Sequence, residues 1–237
     1  LRTPAEIHLG PEEILDRFGE AEVAKLGPIA SLNITRRPLT TIQMIEKRLF
    51  DVAAASLALV VLAPFFALVA LLIKLEGPGP VYFSQRRYGF NQEPFRIYKF
   101  RTMTTMEDDA ALKSATRRDP RVTRIGAILR RLSIDELPQL INVLTGDMSL
   151  IGPRPHALVH DQLYERRIAQ YARRHNVKPG ITGWAQVCGF RGEIASDEKM
   201  RHRVEHDLYY IDNWSFWLDI KILALPLTSP KAHFGAY

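Results

Sequence analysis

The hydrophobic pattern is dominated by one unbroken run, VAAASLALVVLAPFFALVALLI, from Val52 to Ile73, 22 residues without a charge. About 20 apolar residues is the length a helix needs to cross the hydrocarbon of a bilayer. The run is too long, and too far from Leu1, to read as a secretory signal. Pro64 stands near its middle, where it removes one backbone hydrogen bond and presses on the carbonyl of Val60, so a kink is expected. Lys47 and Arg48 precede the run and Lys74 follows it, so positive charge flanks both ends and gives no orientation. A kinked spanning helix and a helix–break–helix that re-enters one leaflet both satisfy this pattern. A buried helix of a soluble core fits the length least well.

The remaining elements are shorter. PEEILDRFGEAEVAKLG (Pro11–Gly27) has a helical spacing of Ile14, Leu15, Phe18 and Val23, and PIASLNITRRPLT reads as a short strand and linker. Two strands around a polar turn at Asn91–Gln92 are expected in PVYFSQRRYGFNQEPFRIYKFRTM, after the turn-forming Gly77–Pro80. The charged stretch Glu107–Arg124 reads as loop and helix, and RIGAILRRL as a helix. ALVHDQLYERRIAQYARRH is amphipathic, with Leu158, Leu163, Ile168 and Tyr171 as buried candidates. VKPGITGWAQVCGFRGE reads as a Gly-rich loop holding a short strand. In the next helix Ser196 is the expected cap, Asp197 and Glu198 suit the positive dipole end, and Met200, Val204, Leu208 and Ile211 form the stripe. NWSFWLDIKILAL sets Trp214 and Trp217 at the edge of an apolar helix, a pattern of membrane interfaces as well as of cores. The fold class expected is α/β, predominantly helices with a few short strands.

Charge narrows the partners. The 237 residues carry a formal net charge of +6, and the balance suits phosphorylated substrates, phospholipid headgroups or nucleic acid. Cys188 is the single cysteine, so an internal disulfide is excluded. The chain begins at Leu1 rather than Met and reads as a fragment of a longer protein.

The candidate chemistry lies in SIDELPQLINVLTGDMSLIGPRP, Ser133–Pro155. Ile134, Leu137, Leu140, Ile141 and Leu144 recur at helical spacing, and Gly146 is a C-terminal stop. Ser133 and Glu136 match a capping box, although Pro138 argues for a start nearer Leu137. Either start puts Asp135 and Glu136 at a helix N-terminus, which favours anions. Neighbouring helical side chains point about 100° apart, so the two carboxylates divide the labour: one meets substrate and one holds a metal such as Mg²⁺. An isolated Asp-Glu pair would be mere capping. Here Arg130 and Arg131 lie upstream, and Arg154 is held extended between Pro153 and Pro155, ready for bidentate phosphate contact. Lys99 and Arg101 of YKFRTM alternate on one face of an expected strand.

Together YKFRTM, SIDELPQLINVLTGDMSLIGPRP, VKPGITGWAQV and DLYYIDNWSFWLDIKIL resemble the bacterial sugar transferases, the monotopic polyprenyl-phosphate hexose-1-phosphate transferases or phosphoglycosyl transferases, from about Ile45 to Tyr237. The resemblance implies a re-entrant helix broken at Pro64 (residues 44–78), interfacial amphipathic helices, and a catalytic domain (79–237) on the cytoplasmic face of the bacterial inner membrane. Residues 1–43 would be the tail of an upstream region carrying further transmembrane helices. It implies Mg²⁺ and a covalent intermediate, with Asp135 as nucleophile, Glu136 as the metal-binding partner, and Lys99, Arg101, Arg130 and Arg154 as phosphate-binding positions. GWAQVCGFRGE is most similar to members that transfer glucose-1-phosphate, although members often carry Asn where Cys188 stands.

The activity so implied is transfer of a hexose-1-phosphate from a UDP-sugar to polyprenyl (undecaprenyl) phosphate with release of UMP, the start of exopolysaccharide or other glycoconjugate synthesis. The partners are then a UDP-sugar, polyprenyl phosphate, membrane lipids and, as an option, a second copy in a homodimer. Two other classes stay open: a hydrolase of lipid-linked phosphates, and a non-catalytic basic membrane scaffold or nucleic-acid binder using Arg117, Arg118, Arg121, Arg124, Arg130 and Arg131. No nucleic-acid module is recognisable, and nucleic acid is not an expected partner.

Overall fold

The apolar run becomes one helix, α1 (Thr41–Glu76), in a computed structural model that describes residues 22–26, 29–33, 38–104, 119–192 and 196–228. A capping box starts it: Thr40 Oγ1 accepts from the Gln43 N–H, and Gln43 Oε1 accepts from the Thr40 N–H at 2.8 Å. The helix is continuous through Pro64. Many of its apolar side chains stay exposed, among them Leu57, Val60, Leu68 and Leu75, a pattern consistent with association with a membrane.

One narrow stripe of α1 packs against the rest of the unit along the whole helix. Near its start, Lys47 Nζ donates to Asp219 at 2.6 Å, and Asp51 accepts from the Ser149 hydroxyl and the Leu150 N–H. Arg48 donates to the carbonyls of Val143 and Leu144, at the negative end of another helix. Ala55 is buried with Ile97, Leu140 and Val143, and further on Val69 and Ile73 are buried with Phe100 and Leu129.

The chain divides into two units, Leu1–Arg37 and Pro38–Tyr237. In the first, β1 (Glu22–Leu26) pairs antiparallel with β2 (Ile29–Asn33). The strand expected in PIASLN forms. The helix expected over Pro11–Gly27 is corrected at Glu22–Leu26, where pairing with β2 across Gly27–Pro28 outweighs helical periodicity; residues 11–21 lie outside the described ones.

The second unit is predominantly helical with a few short strands. β3 (Tyr82–Tyr88) and β4 (Pro94–Phe100) form the expected hairpin, turning at Asn91 and Gln92, both with positive φ. α2 (Arg124–Arg131) follows, capped by the Thr123 hydroxyl; most of the stretch before it, 105–118, is outside the described residues. Then come a 3₁₀ turn (Ile134–Glu136) and α3 (Gln139–Thr145), ended by Gly146 at φ 95° as expected. β5 (Ser149–Ile151) pairs in parallel with β6 (Gly180–Thr182). Just past β5, the backbone of Gly152 lies so close to Gly180 that a side chain on either would strike the other's main chain. The Gly180 N–H donates to the Pro153 carbonyl at 3.0 Å, so this contact fixes the entry to Pro153–Pro155.

The amphipathic segment after it forms α4 (Leu158–Glu165) and then a 3₁₀ helix (Tyr171–Asn176), with Ile168 and Tyr171 buried as expected. Leu163 is exposed instead. The buried face runs through Asp161, Tyr164 and Ile168, because Asp161 is drawn inside by the Tyr171 hydroxyl at 2.5 Å. The short α5 (Trp184–Val187) leads to α6 (Asp197–Asp212), capped by Ser196 with Met200, Val204 and Ile211 buried, as the pattern predicts. In α7 (Phe216–Thr228), Asp219 is buried and accepts from Tyr210 and Trp214, whereas Trp217 is 77% exposed.

Candidate active site

Asp135 and Glu136 sit in the 3₁₀ turn between α2 and α3, not in the first turn of a helix. The expected capping box does not form. Ser133 adopts a left-handed conformation (φ 58°) and makes no cap, and Pro138 takes the position before α3. Proline cannot supply an N–H inside a helix, so the chain makes a separate turn first. Glu136 is thereby free to face cations rather than reach back to Ser133.

Glu136 is the anchored member of the pair. Its Oε1 accepts from Lys99 Nζ at 2.7 Å, its Oε2 accepts from Arg154 Nη1 at 2.8 Å, and Arg154 Nη2 closes a second bond to Oε1. Bidentate, charge-assisted contacts of this kind are the strong class. Burial works against ionisation here, but Arg154 and Lys99 hold the Glu136 carboxyl well below the usual carboxylate range. Asp135 is the free member. It is 8% exposed, and its carboxylate accepts no hydrogen bond among the described residues. Burial, with the Glu136 charge adding to it, raises its pKa against the pull of Lys99, Arg130 and Arg154.

Of the basic positions read from the sequence, Lys99 and Arg154 meet at Glu136, and Arg130 lies on the last turn of α2 within electrostatic reach of Asp135. Arg101 does not join them. It is buried past the end of β4, and its guanidinium donates to the carbonyls of Ile73 (3.0 Å), Gly77 (2.8 Å) and Pro78 (2.6 Å), where α1 ends. Lys99 and Arg101 therefore serve two different partners despite their alternation.

The geometry also bears on Mg²⁺. Among the described residues no group of three or more ligating side chains is present. Mg²⁺ is commonly bound by one or two carboxylates with substrate phosphates and water, so a protein cage is not required. Three of the roughly four lone-pair positions of Glu136 are engaged, one on Oε2 remains, and Asp135 offers its own. The pair fits the ion.

A cavity of about 140 Å³ opens beside Glu136, lined by Ser133, Leu137, Thr182, Gln186 and Arg191 among others. That is room for on the order of ten water-sized groups, the scale of a sugar ring or a diphosphate. Behind the Pro-Arg-Pro segment lies a buried polar network that the sequence did not suggest. Arg174 donates to the Arg154 carbonyl at 2.8 Å and to Asp207 at 2.7 Å, and His156 lies 2.7 Å from the Tyr171 hydroxyl. Burial and the guanidinium groups of Arg174 and Arg203 push the His156 pKa well down, so its ring is neutral. The network holds the main chain of Arg154 where its side chain reaches Glu136.

The chain was compared with known proteins. A family model described as bacterial sugar transferase matches residues 42–230. A UDP-glucose:undecaprenyl-phosphate glucose-1-phosphate transferase of Escherichia coli (strain K12) is 44% identical over 235 residues, covering 99% of this chain and 51% of that protein. An undecaprenyl-phosphate glucose phosphotransferase of Komagataeibacter xylinus is 49% identical over 227 residues, covering 94% and 43%. A further UDP-glucose:undecaprenyl-phosphate glucose-1-phosphate transferase, of Caulobacter vibrioides, is 49% identical over 215 residues, covering 90% and 80%. The chain spans about half the length of the first two relatives.

Proposed function

We propose, from the premise that this chain belongs to the bacterial sugar transferase family, that it transfers glucose-1-phosphate from UDP-glucose to undecaprenyl phosphate. The observation that carries this reading is the asymmetry of the acidic pair: a buried, unpartnered Asp135 beside a Glu136 clamped by Lys99 and Arg154. A carboxylate free of hydrogen bonds to the protein keeps its lone pairs for attack.

In the first half-reaction an Asp135 oxygen attacks the phosphorus that bears the sugar. The bond from that phosphorus to UMP breaks, and a glycosyl phospho-aspartate remains. In the second, an oxygen of undecaprenyl phosphate attacks the same phosphorus, the aspartyl bond breaks, and Asp135 is regenerated. Arg130 and Arg154 stabilise charge on the phosphoryl oxygens, the main demand of such transfer. Glu136, with Asp135 beside it, would hold Mg²⁺, whose chemistry is to neutralise the diphosphate. Glu136 also keeps Arg154 and Lys99 oriented before substrate arrives.

The long apolar helix α1 supports association with a membrane. Both ends of this helix are tied to one folded unit, through Lys47–Asp219 and through Arg101 with the Ile73 carbonyl. The arrangement we adopt is re-entry with the catalytic unit on the cytoplasmic face, as the family resemblance implies. The charged flanks then lie on one side, and the exposed apolar face of α1 brings the site to its lipid acceptor.

The test is to supply the full chain in lipid nanodiscs with a panel of UDP-sugars and undecaprenyl phosphate. UMP and a lipid-linked sugar phosphate should appear together, with UDP-glucose preferred. UMP with free sugar phosphate and no lipid product would support a hydrolase, and no turnover with any sugar would contradict the reading.

A further inference from the structure

We infer that Arg48 and Lys178 form a phosphate-binding pair for an anionic membrane phospholipid, near the start of α1 and at the opposite end of α3 from the acidic pair. The inference goes beyond the transfer reading and rests only on the association of α1 with a membrane. Arg48 Nη2 and Lys178 Nζ each come to 3.5 Å from the point where a Cβ on Gly146 would stand, so the two cations lie no more than twice that distance apart. One phosphate offers an oxygen to each across such a gap. Capping of α3 does not account for the second cation. Arg48 takes the carbonyls of Val143 and Leu144, and the N–H groups of Gly146 and Met148 take that of Asn142. Lys178 Nζ closes no hydrogen bond or ion pair among the described residues. The carboxylates that attract it, Asp51 and Asp147, are held elsewhere: Asp51 by the Ser149 hydroxyl and the Leu150 N–H, Asp147 by the Thr145 hydroxyl at 2.7 Å. Burial and the neighbouring Arg48 charge push the Lys178 pKa down, and an anion between the two cations relieves that repulsion.

The surroundings identify the anion as the headgroup of a lipid. Met44 and Ile45 stand four and three residues before Arg48 on α1, and Val52 stands four after it, so all three share its side of the helix. They are 45%, 56% and 36% exposed. The cation pair is therefore flanked by bare apolar side chains where the long apolar run begins, the order in which a headgroup and its acyl chains are met. A free phosphate would use the cations and leave the apolar flank uncovered. The lipid acceptor of the transfer is not the occupant. The 7 residues of α3 separate this pair from the turn that carries Asp135, about 10 Å at 1.5 Å per residue. Attack needs the reacting atoms about 3–3.5 Å apart, so a phosphate held here does not react at Asp135. The pair instead fastens α1, through Arg48, to the segment that leads into β6, through Lys178, with one lipid phosphate between them.

The experiment measures the thermal unfolding midpoint of the full chain in nanodiscs of phosphatidylcholine alone and of phosphatidylcholine mixed in equal parts with phosphatidylglycerol. The anionic lipid should raise the midpoint of the unmodified chain by about 4–8 °C, roughly 2–4 °C for each cation at the membrane surface. Lys178→Met keeps the unbranched stem and removes the charge; it should lose about half of that gain, and Lys178→Arg should keep it. In phosphatidylcholine alone Lys178→Met should not fall, because burial and Arg48 oppose the charge it removes. Arg201→Gln, which removes an exposed cation of α6, should leave the gain within about 1 °C. No gain in the unmodified chain, or a full gain in Lys178→Met, overturns the inference. An equal loss in Arg201→Gln overturns it in favour of diffuse attraction by the basic surface, and a large fall of Lys178→Met in phosphatidylcholine alone overturns it in favour of a purely structural lysine. A trace of undecaprenyl phosphate in phosphatidylcholine should not reproduce the gain; a gain that Lys178→Met abolishes would give the pair to the acceptor instead. The transfer reading is tested separately, by UMP release, and stands or falls independently of these midpoints.

Discussion

Arg101 separates the geometric account from the motif account most cleanly, because the motif assigns it to substrate and the structure ties it to the end of α1. The perturbation is Arg101→Met, which keeps an unbranched side chain of similar reach and removes the guanidinium. Three carbonyls, of Ile73, Gly77 and Pro78, lose their donor. Hydrogen bonds to charged groups are each worth about 1.5–3 kcal/mol net, but these three share one guanidinium and two of the carbonyls are only partly buried, so the sum is about 3–5 kcal/mol. For a folded unit of this size each kcal/mol moves the thermal midpoint by about 2–4 °C, which gives a fall on the order of 10 °C. Intrinsic tryptophan fluorescence of the chain in nanodiscs, followed during heating, reads that change. Below the transition, the KM for UDP-glucose should stay within about threefold of the unmodified chain, since no binding contact is removed. An unchanged midpoint with a KM raised tenfold or more would refute the reasoning and return Arg101 to the phosphate site.

Three other outcomes follow from the same geometry. Because burial raises the Asp135 pKa, UMP release should fall as pH drops, with a midpoint above the ordinary aspartate value of about 3.9; Glu136→Gln should slow turnover and, by removing one negative neighbour, move that acid limb down, both read from initial rates against pH. Single cysteines at Arg37 and Lys99 in a Cys188→Ser background should both react with an impermeant thiol reagent from one face of sealed vesicles; labelling from opposite faces would establish a spanning α1. Burial raises the Cys188 pKa, so the thiol is protonated at neutral pH and Cys188→Ser should keep most of the activity, checked by the rate of UMP release.

Much of the local structure was legible because it depends on short-range rules. Gly146 ends α3 and Ser196 caps α6, and Asn91–Gln92 turns the hairpin, each by a conformational or hydrogen-bonding property of the residue itself. The acidic pair and the cations near it were legible from charge and from the proline-bracketed arginine, but the bonding of Arg154 and Lys99 to Glu136 was not, since both were read as phosphate ligands. The contacts that went unread share another cause. Arg101, Asp161 and Arg174 are polar residues whose positions are decided by partners far along the chain: the end of α1, Tyr171 and Asp207. A pattern that assumes polar residues face water cannot find them, and it put Leu163 inside where Asp161 belongs. The capping box matched at Ser133 does not form, and the helix starts past Leu137, near where Pro138 had placed it; the turn before it gives the Ser133 hydroxyl to Arg191. Arg191, on the cavity wall, had a signal, a glycine on either side of Phe190–Arg191, but the position of that loop depends on Arg203 in α6.

The central claim is that Asp135, and not Glu136, becomes covalently bonded to the sugar phosphate. The most direct measurement incubates the protein with UDP-glucose and Mg²⁺ in the absence of lipid acceptor, quenches it, and locates the added mass by peptide mass spectrometry. The account predicts a hexose-phosphate adduct on Asp135, formed along with UMP, absent from Asp135→Asn and still on Asp135 in Glu136→Gln. An adduct on Glu136, or UMP release with no adduct, would contradict it; the second result would make Asp135 a general base for direct attack by the lipid phosphate.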